Sequence, residues 1–85
     1  MRQIKFDPFA NESESTQIGG MTVENRLDRV TLYGNLDITL DKAGYADALA
    51  LKQVFDRIVE KMQKSPLPDR IALIPPKDVS NPFGA

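Results

Sequence analysis

From residue 30 to residue 40 the chain alternates. Val30, Leu32, Leu36, Ile38 and Leu40 are large and apolar at the even positions, interrupted only by Gly34, while Thr31, Tyr33, Asn35, Asp37 and Thr39 take the odd ones. A period of two sends the two sets to opposite faces, so this stretch predicts one strand with a buried and a wet face. A rival reading turns the chain at Gly34-Asn35, a recognised hairpin dipeptide. It would oppose Leu32 to Asp37 and Val30 to Thr39, mixing core and solvent residues on each face. The continuous strand is preferred. Its expected partner is residues 17–24, joined through a four-residue loop at 25–28. That register sets Glu24 opposite Arg29, Val23 opposite Val30, Thr22 opposite Thr31 and Met21 opposite Leu32, all favourable cross-strand pairs. It also sets Gly20 opposite Tyr33 and Gly19 opposite Gly34, which predicts a bulge or sharp bend midway along the ribbon.

The period then changes from two to 3.6. Asp41 is placed to cap a helix running to about Lys64, with Leu40 and Tyr45 spaced as a hydrophobic staple. Ala48, Leu51, Phe55, Ile58 and Met62 follow spacings of three and four, with Val59 beside them, and predict the buried stripe. Pro66 and Pro68 forbid continuation. Residues 43–51 are apolar over most of their length, with small Ala43, Ala46 and Ala50 on a back face and Tyr45 and Leu49 off the main stripe. One exposed Leu is normal, and alanine favours helices. The alternative is a second contact surface at the helix start, where small residues let another backbone approach.

Outside this centre the pattern fades. Residues 1–9 alternate briefly around Ile4 and Phe6 and end in the turn-prone Asp7-Pro8; residues 10–16 are polar, with nothing to bury. Residues 65–85 hold five of the six prolines. The expected organisation is an N-terminal extended segment and mobile linker over 1–16, a folded domain over 17–64, and a Pro-rich tail over 65–85 in which residues 70–74 could add a short strand. The fold class is α+β: an antiparallel β-hairpin followed by one long amphipathic helix, ββα, with extended termini.

At 85 residues, 41% hydrophobic and 27% charged, the chain is one ordinary globular domain. Eleven Lys and Arg against twelve Asp and Glu give a net charge of −1, which argues against a surface built for nucleic acid or anionic lipid. Cys and His are absent, which removes disulfides, thiolate zinc sites, thiol nucleophiles and imidazole bases. No secretory core or membrane span is visible, and the expected compartment is the cytoplasm.

Candidate chemistry is sparse. Asp37, Thr39 and Asp41 share one strand face and could be read as a cation site, but a helix N-terminus repels cations and Asp41 is needed as the cap. Gly19-Gly20 lacks the residues of a phosphate loop. Lys52, Arg57, Lys61 and Lys64 interleave with Asp47, Asp56 and Glu60, the composition of a solvated helix face. Asp7-Pro8-Phe9 and Asn81-Pro82-Phe83 resemble the Pro-Phe peptides bound by eukaryotic endocytic adaptors; as Asx-Pro turns they would tuck Phe9 and Phe83 into the domain or a partner.

Residues 30–44, VTLYGNLDITLDKAG, resemble a block found in a family of short bacterial proteins of unassigned function. The resemblance implies a bacterial, cytoplasmic setting and carries no activity, ligand or catalytic residue. A two-stranded ribbon with one helix is too small for a comfortable core, so docked termini or a second copy must add burial. The expected function is that of a non-enzymatic interaction protein without cofactor, a homodimer that binds another protein, with Tyr45, Leu49, Ala43, Ala46, Ala50, Phe9 and Phe83 as the candidate surface. The alternatives are a small nucleic-acid-associated regulator and an adaptor ligand acting through its Pro-Phe tripeptides.

Overall fold

The computed structural model describes residues 4–72. Three strands, β1 (Ser15–Ile18), β2 (Gly20–Asn25) and β3 (Val30–Asn35), form an antiparallel sheet in the order β1-β2-β3, and one long helix, α1 (Lys42–Gln63), follows. The α+β class expected from the two periodicities is the class observed. None of the described helices is long and apolar enough to cross a membrane.

The sheet has one strand more than the pattern suggested. Residues 17–24 are not one strand: the chain reverses at Gly19-Gly20, and Ile18 pairs with Met21 across a two-residue turn. Gly19 sits at φ 60, the conformation that the first central position of a type II′ turn needs and that glycine alone adopts without strain. The Gly-Gly pair is therefore a hairpin turn and not a bulge. Ser15 and Thr16, expected in a linker, open β1.

The register of β2 on β3 also differs. Val23 faces Leu32, Thr22 faces Tyr33, Met21 faces Gly34 and Asn25 faces Val30, so the loop is residues 26–29 instead of 25–28. The slip is two residues on the partner strand. An even slip preserves the faces, which is why the alternation argument could not detect it. One face carries Ile18, Val23, Val30 and Leu32; the other carries Gln17, Thr22, Glu24, Thr31 and Tyr33, with Tyr33 Oη donating to Glu24 Oε2 at 3.1 Å.

β3 stops at Asn35, five residues short of the alternation. At Gly34 the backbone takes φ 112, and a Cβ there would run into the carbonyl of Gly20. Leu36 then folds across the turn onto Gly19, while Ile38 and Leu40 are exposed. Alternation records which residues are apolar; it does not record that the backbone changes direction at a glycine.

Asp41 caps α1 as expected. Its Oδ1 accepts from Gly44 N at 2.8 Å and from Thr39 Oγ1 at 2.6 Å, and these hydrogen bonds, the Thr39 hydroxyl first, hold its carboxyl below the usual range. The staple does not form: Leu40 is fully exposed and Tyr45 mostly so. The helix phase differs too. Gly44, Ala50 and Val54 are the buried positions, Leu51 and Ile58 pack partly, and Phe55 is 47% exposed.

The N-terminal segment supplies the missing burial. Ile4 and Phe6 join Ile18, Val23, Ala50 and Val54 in one core cluster. Ile4 N donates to Gln53 Oε1 at 2.9 Å, and Lys61 Nζ lies 3.4 Å from Asp7 Oδ1, so the segment runs along the Gln53–Lys61 flank of α1. Docking of a terminus is one of the two ways of adding burial that the small core demanded.

Candidate interaction surface

The segment that anchors the N-terminus is a turn. Ala10 N donates to Asp7 O at 3.3 Å, Pro8 takes the first central position and Phe9 the second, at φ 65. That is the shape of a type II turn, which prefers glycine where Phe9 stands. Asn25, 2% exposed at the end of β2, holds it in place: Nδ2 donates to Asp7 O and Oδ1 accepts from Phe9 N, both at 2.7 Å. Asp7-Pro8-Phe9 is thus built into the domain as the Asx-Pro reading expected, with Phe9 half-buried. Sequence reasoning left Asn25 in a loop. A lone Asn beside Arg26 carries no signal of burial, and only the tertiary position of residues 7–9 gives it a role.

The remaining expected surface residues scatter. Tyr45 is 67% exposed, Ala43 and Ala46 are exposed, and Leu49 is half-buried. Ala50 is not on a surface: at 1% exposure it belongs to the core, because α1 is turned so that its small side chains meet the sheet. The proposed Ala43–Ala46–Ala50 back face is therefore open only at its N-terminal two positions. Phe83 and the Asn81-Pro82-Phe83 tripeptide lie outside the described residues.

A different apolar flank is open. Phe55, Val59 and Met62, expected in the core stripe, are 47%, 52% and 39% exposed. Phe55 and Val59 lie away from the Gln53–Lys61 flank along which residues 4–7 run. Met62 shares an open cleft of about 560 Å³ with Phe9, Leu27, Leu67 and Ile71. Leu27 belongs to the β2–β3 loop, so the cleft lies between that loop, the turn at Phe9 and the C-terminal end of α1. Val30, Leu32 and Leu36 pack against the core cluster but are only half-buried, and α1 lies closest to β1.

The charged residues are arranged as a solvated face. Lys52 Nζ is 2.8 Å from Asp56 Oδ2, Lys64 Nζ is 3.8 Å from Glu60 Oε1, and Lys61 faces Asp7. The Asp56 hydrogen bond raises the Lys52 ammonium above its usual pKa, but exposed i,i+4 pairs of this kind hold little energy. Residues 70–72 add no strand to the sheet, and residues 73–74 lie outside the described residues. Among the described residues no three acidic, His or Cys side chains come close enough to hold a metal ion, and Asp41 is committed to the helix cap. No family model, no curated protein and no solved structure matches this chain.

Proposed function

We propose that this is a non-enzymatic interaction protein that associates with itself and, as a homodimer, binds another protein. The observation that carries the reading is the open flank of α1. Phe55, Val59 and Met62 present neighbouring helical positions to solvent, at 47%, 52% and 39% exposure. Scattered exposed apolar residues need no explanation, but three on one flank of one helix mark a contact surface. Pairing of Lys52, Lys61 and Lys64 with carboxylates leaves little of the cationic field that a nucleic-acid regulator would use. A bacterial, cytoplasmic setting, implied by the resemblance over residues 30–44, belongs to the same proposal.

Sedimentation of the full chain across a hundredfold range of concentration tests self-association, together with the thermal midpoint. A dimer that dissociates on dilution, with a midpoint that rises with concentration, is expected. A monomer throughout, with a fixed midpoint, overturns the dimer. For the second partner, Phe55→Lys should abolish what the wild-type chain captures from its own host; capture that survives the change refutes this flank as the binding surface.

A further inference from the structure

We propose that the cleft at the C-terminal end of α1 is the docking site for the stretch of this chain that follows it, residues 73–76, with Leu73 and Ile74 as the side chains that fill it. The cleft, of about 560 Å³, opens among large apolar residues. Leu27 and Leu67 are 61% and 60% exposed there, Met62 and Ile71 39% and 38%, and Phe9 completes the lining. The N-terminal turn, the β2–β3 loop, the helix end and the segment after it each contribute, so one apolar occupant would tie four parts of the fold together.

The walls are held before anything enters. Asn25 Oδ1 accepts from Phe9 N at 2.7 Å, and Glu12 Oε2 accepts from Leu27 N at 2.6 Å. Ser65 closes the helix end, its N–H donating to Met62 O and its hydroxyl to Lys61 O. A site with fixed walls gives up little freedom when it is filled.

Charge and the path of the chain select the occupant. At the rim Lys61 and Arg70 balance Asp28 and Asp69, so nothing there calls for a charged ligand. Ile71 already lines the cleft, and only Ala72, the last described residue, separates it from Leu73. An extended chain returns to the same face every second residue, so continuation from Ile71 presents Leu73 to the same side. Pro75 disfavours a helical turn at Ile74, and a second proline follows at once. Beyond them the sequence reads Lys77-Asp78-Val79-Ser80-Asn81, which leaves Leu73-Ile74 as the last adjacent pair of large apolar residues. Phe83 would have to close a loop over 73–82, and a second copy would lose its free translation; Leu73 pays neither cost. Met62 is where the cleft meets the open flank of α1, so the docked segment leaves Phe55 and Val59 free for self-association.

Trypsin tests the docking on the full chain, because Arg70 and Lys77 bracket the segment. Cleavage after Arg70 requires residues 71–74 to leave the cleft, and cleavage after Lys77 does not. Leu73→Ser with Ile74→Ser should speed the first about tenfold or more, as expected when the burial of even one aliphatic side chain is lost, and leave the second unchanged. Equal rates after Arg70 in the two proteins overturn the proposal. The second measurement is nuclear Overhauser contacts in the wild-type chain, diluted until it sediments as a monomer. Contacts from the Leu73 or Ile74 methyl groups to the Phe9 ring or to Met62 are expected, and they decide alone if circular dichroism shows that the double variant has lost its helix. Contacts from Phe83 in their place overturn the proposal. So do Phe9, Leu27 and Met62 signals that shift with protein concentration and ignore the double substitution, since a second copy would then fill the cleft.

Discussion

Asn25→Ala isolates what the buried amide does for the N-terminal segment. The side chain is 2% exposed and makes two hydrogen bonds of 2.7 Å, one to Asp7 O and one from Phe9 N. Each such bond contributes about 1 kcal/mol net. Asp7 O keeps its bond from Ala10 N, but Phe9 N–H is left without its acceptor, which adds about 1–2 kcal/mol where water cannot reach it. Phe9 sits at φ 65, a conformation that costs a non-glycine residue about 1–2 kcal/mol, so the freed turn has reason to relax. The sum is about 3–4 kcal/mol, a large share of what a domain this size holds. Urea denaturation followed by far-ultraviolet circular dichroism measures it. Asn25→Asp sharpens the test, because only the protonated acid can both accept from Phe9 N and donate to Asp7 O. Its carboxyl pKa is raised by folding, so its deficit relative to wild type should be small below about pH 4 and grow as pH rises through the folded value. An Asn25→Ala loss within about 0.5 kcal/mol would mean that the turn stands without the clamp and that the reasoning is wrong.

Other outcomes follow from the same coordinates. Val54→Ala should destabilise the dilute monomer by about 2–3 kcal/mol and Phe55→Ala by only about 1 kcal/mol, although the second removes more atoms, because Val54 is fully buried and Phe55 is 47% exposed; urea melts giving the reverse order would return the helix to the phase expected from sequence. Gly34→Ala should cost about 1–3 kcal/mol in the same assay, since φ 112 is strained for alanine and its Cβ meets the Gly20 carbonyl; a neutral result would show that β3 does not bend there. Asp41 has its carboxyl held below the ordinary 3.8, so its capping contribution is complete above that value and is lost as pH falls through the lower folded value. Helicity of Asp41→Asn, which keeps an acceptor for Gly44 N, should lack that acid-dependent step when followed by circular dichroism; an unchanged acid profile would place the step elsewhere. Gln53→Ala, which removes the acceptor for Ile4 N, should speed proteolysis of the N-terminal segment with little change in helix content; cleavage at the wild-type rate would show that the segment is held by burial alone.

Elements whose cause is local were legible in the sequence. Asp41 caps α1 because its short carboxylate can reach the amide three residues on, and that requirement is met by neighbours in the chain. The faces of β2 and β3 followed from alternation and survived a two-residue error in register, because parity alone decides them. What failed depended on contacts distant in sequence or on backbone direction. Gly19-Gly20 reads as a bulge only in a register that sets Gly19 opposite Gly34; in the structure Met21 faces Gly34, and the two glycines reverse the chain to pair β1 with β2. The polar stretch 10–14 looks empty because its work is done through main-chain and carboxylate groups: Asn11 Oδ1 accepts from Ser13 and Glu14, and Glu12 Oε2 accepts from Leu27 N at 2.6 Å. Hydropathy does not register such bonds.

The helix phase is the most informative of these differences. The stripe Ala48–Leu51–Phe55–Ile58–Met62 maximises hydrophobicity along one line of α1, yet the sheet meets a line roughly a quarter-turn away, through Ala50 and Val54. Close approach explains the preference. Alanine and valine let the helix sit low over Ile18 and Val23, whereas phenylalanine on that line would hold it off. The N-terminal segment then takes the flank carrying Gln53 and Lys61, which fixes the rotation from the other side. Both adjacent faces of α1 are therefore apolar, and among the described residues only one is covered. The first face meets the sheet of its own domain; the second, through Phe55, Val59 and Met62, is the surface that the proposed self-association would use.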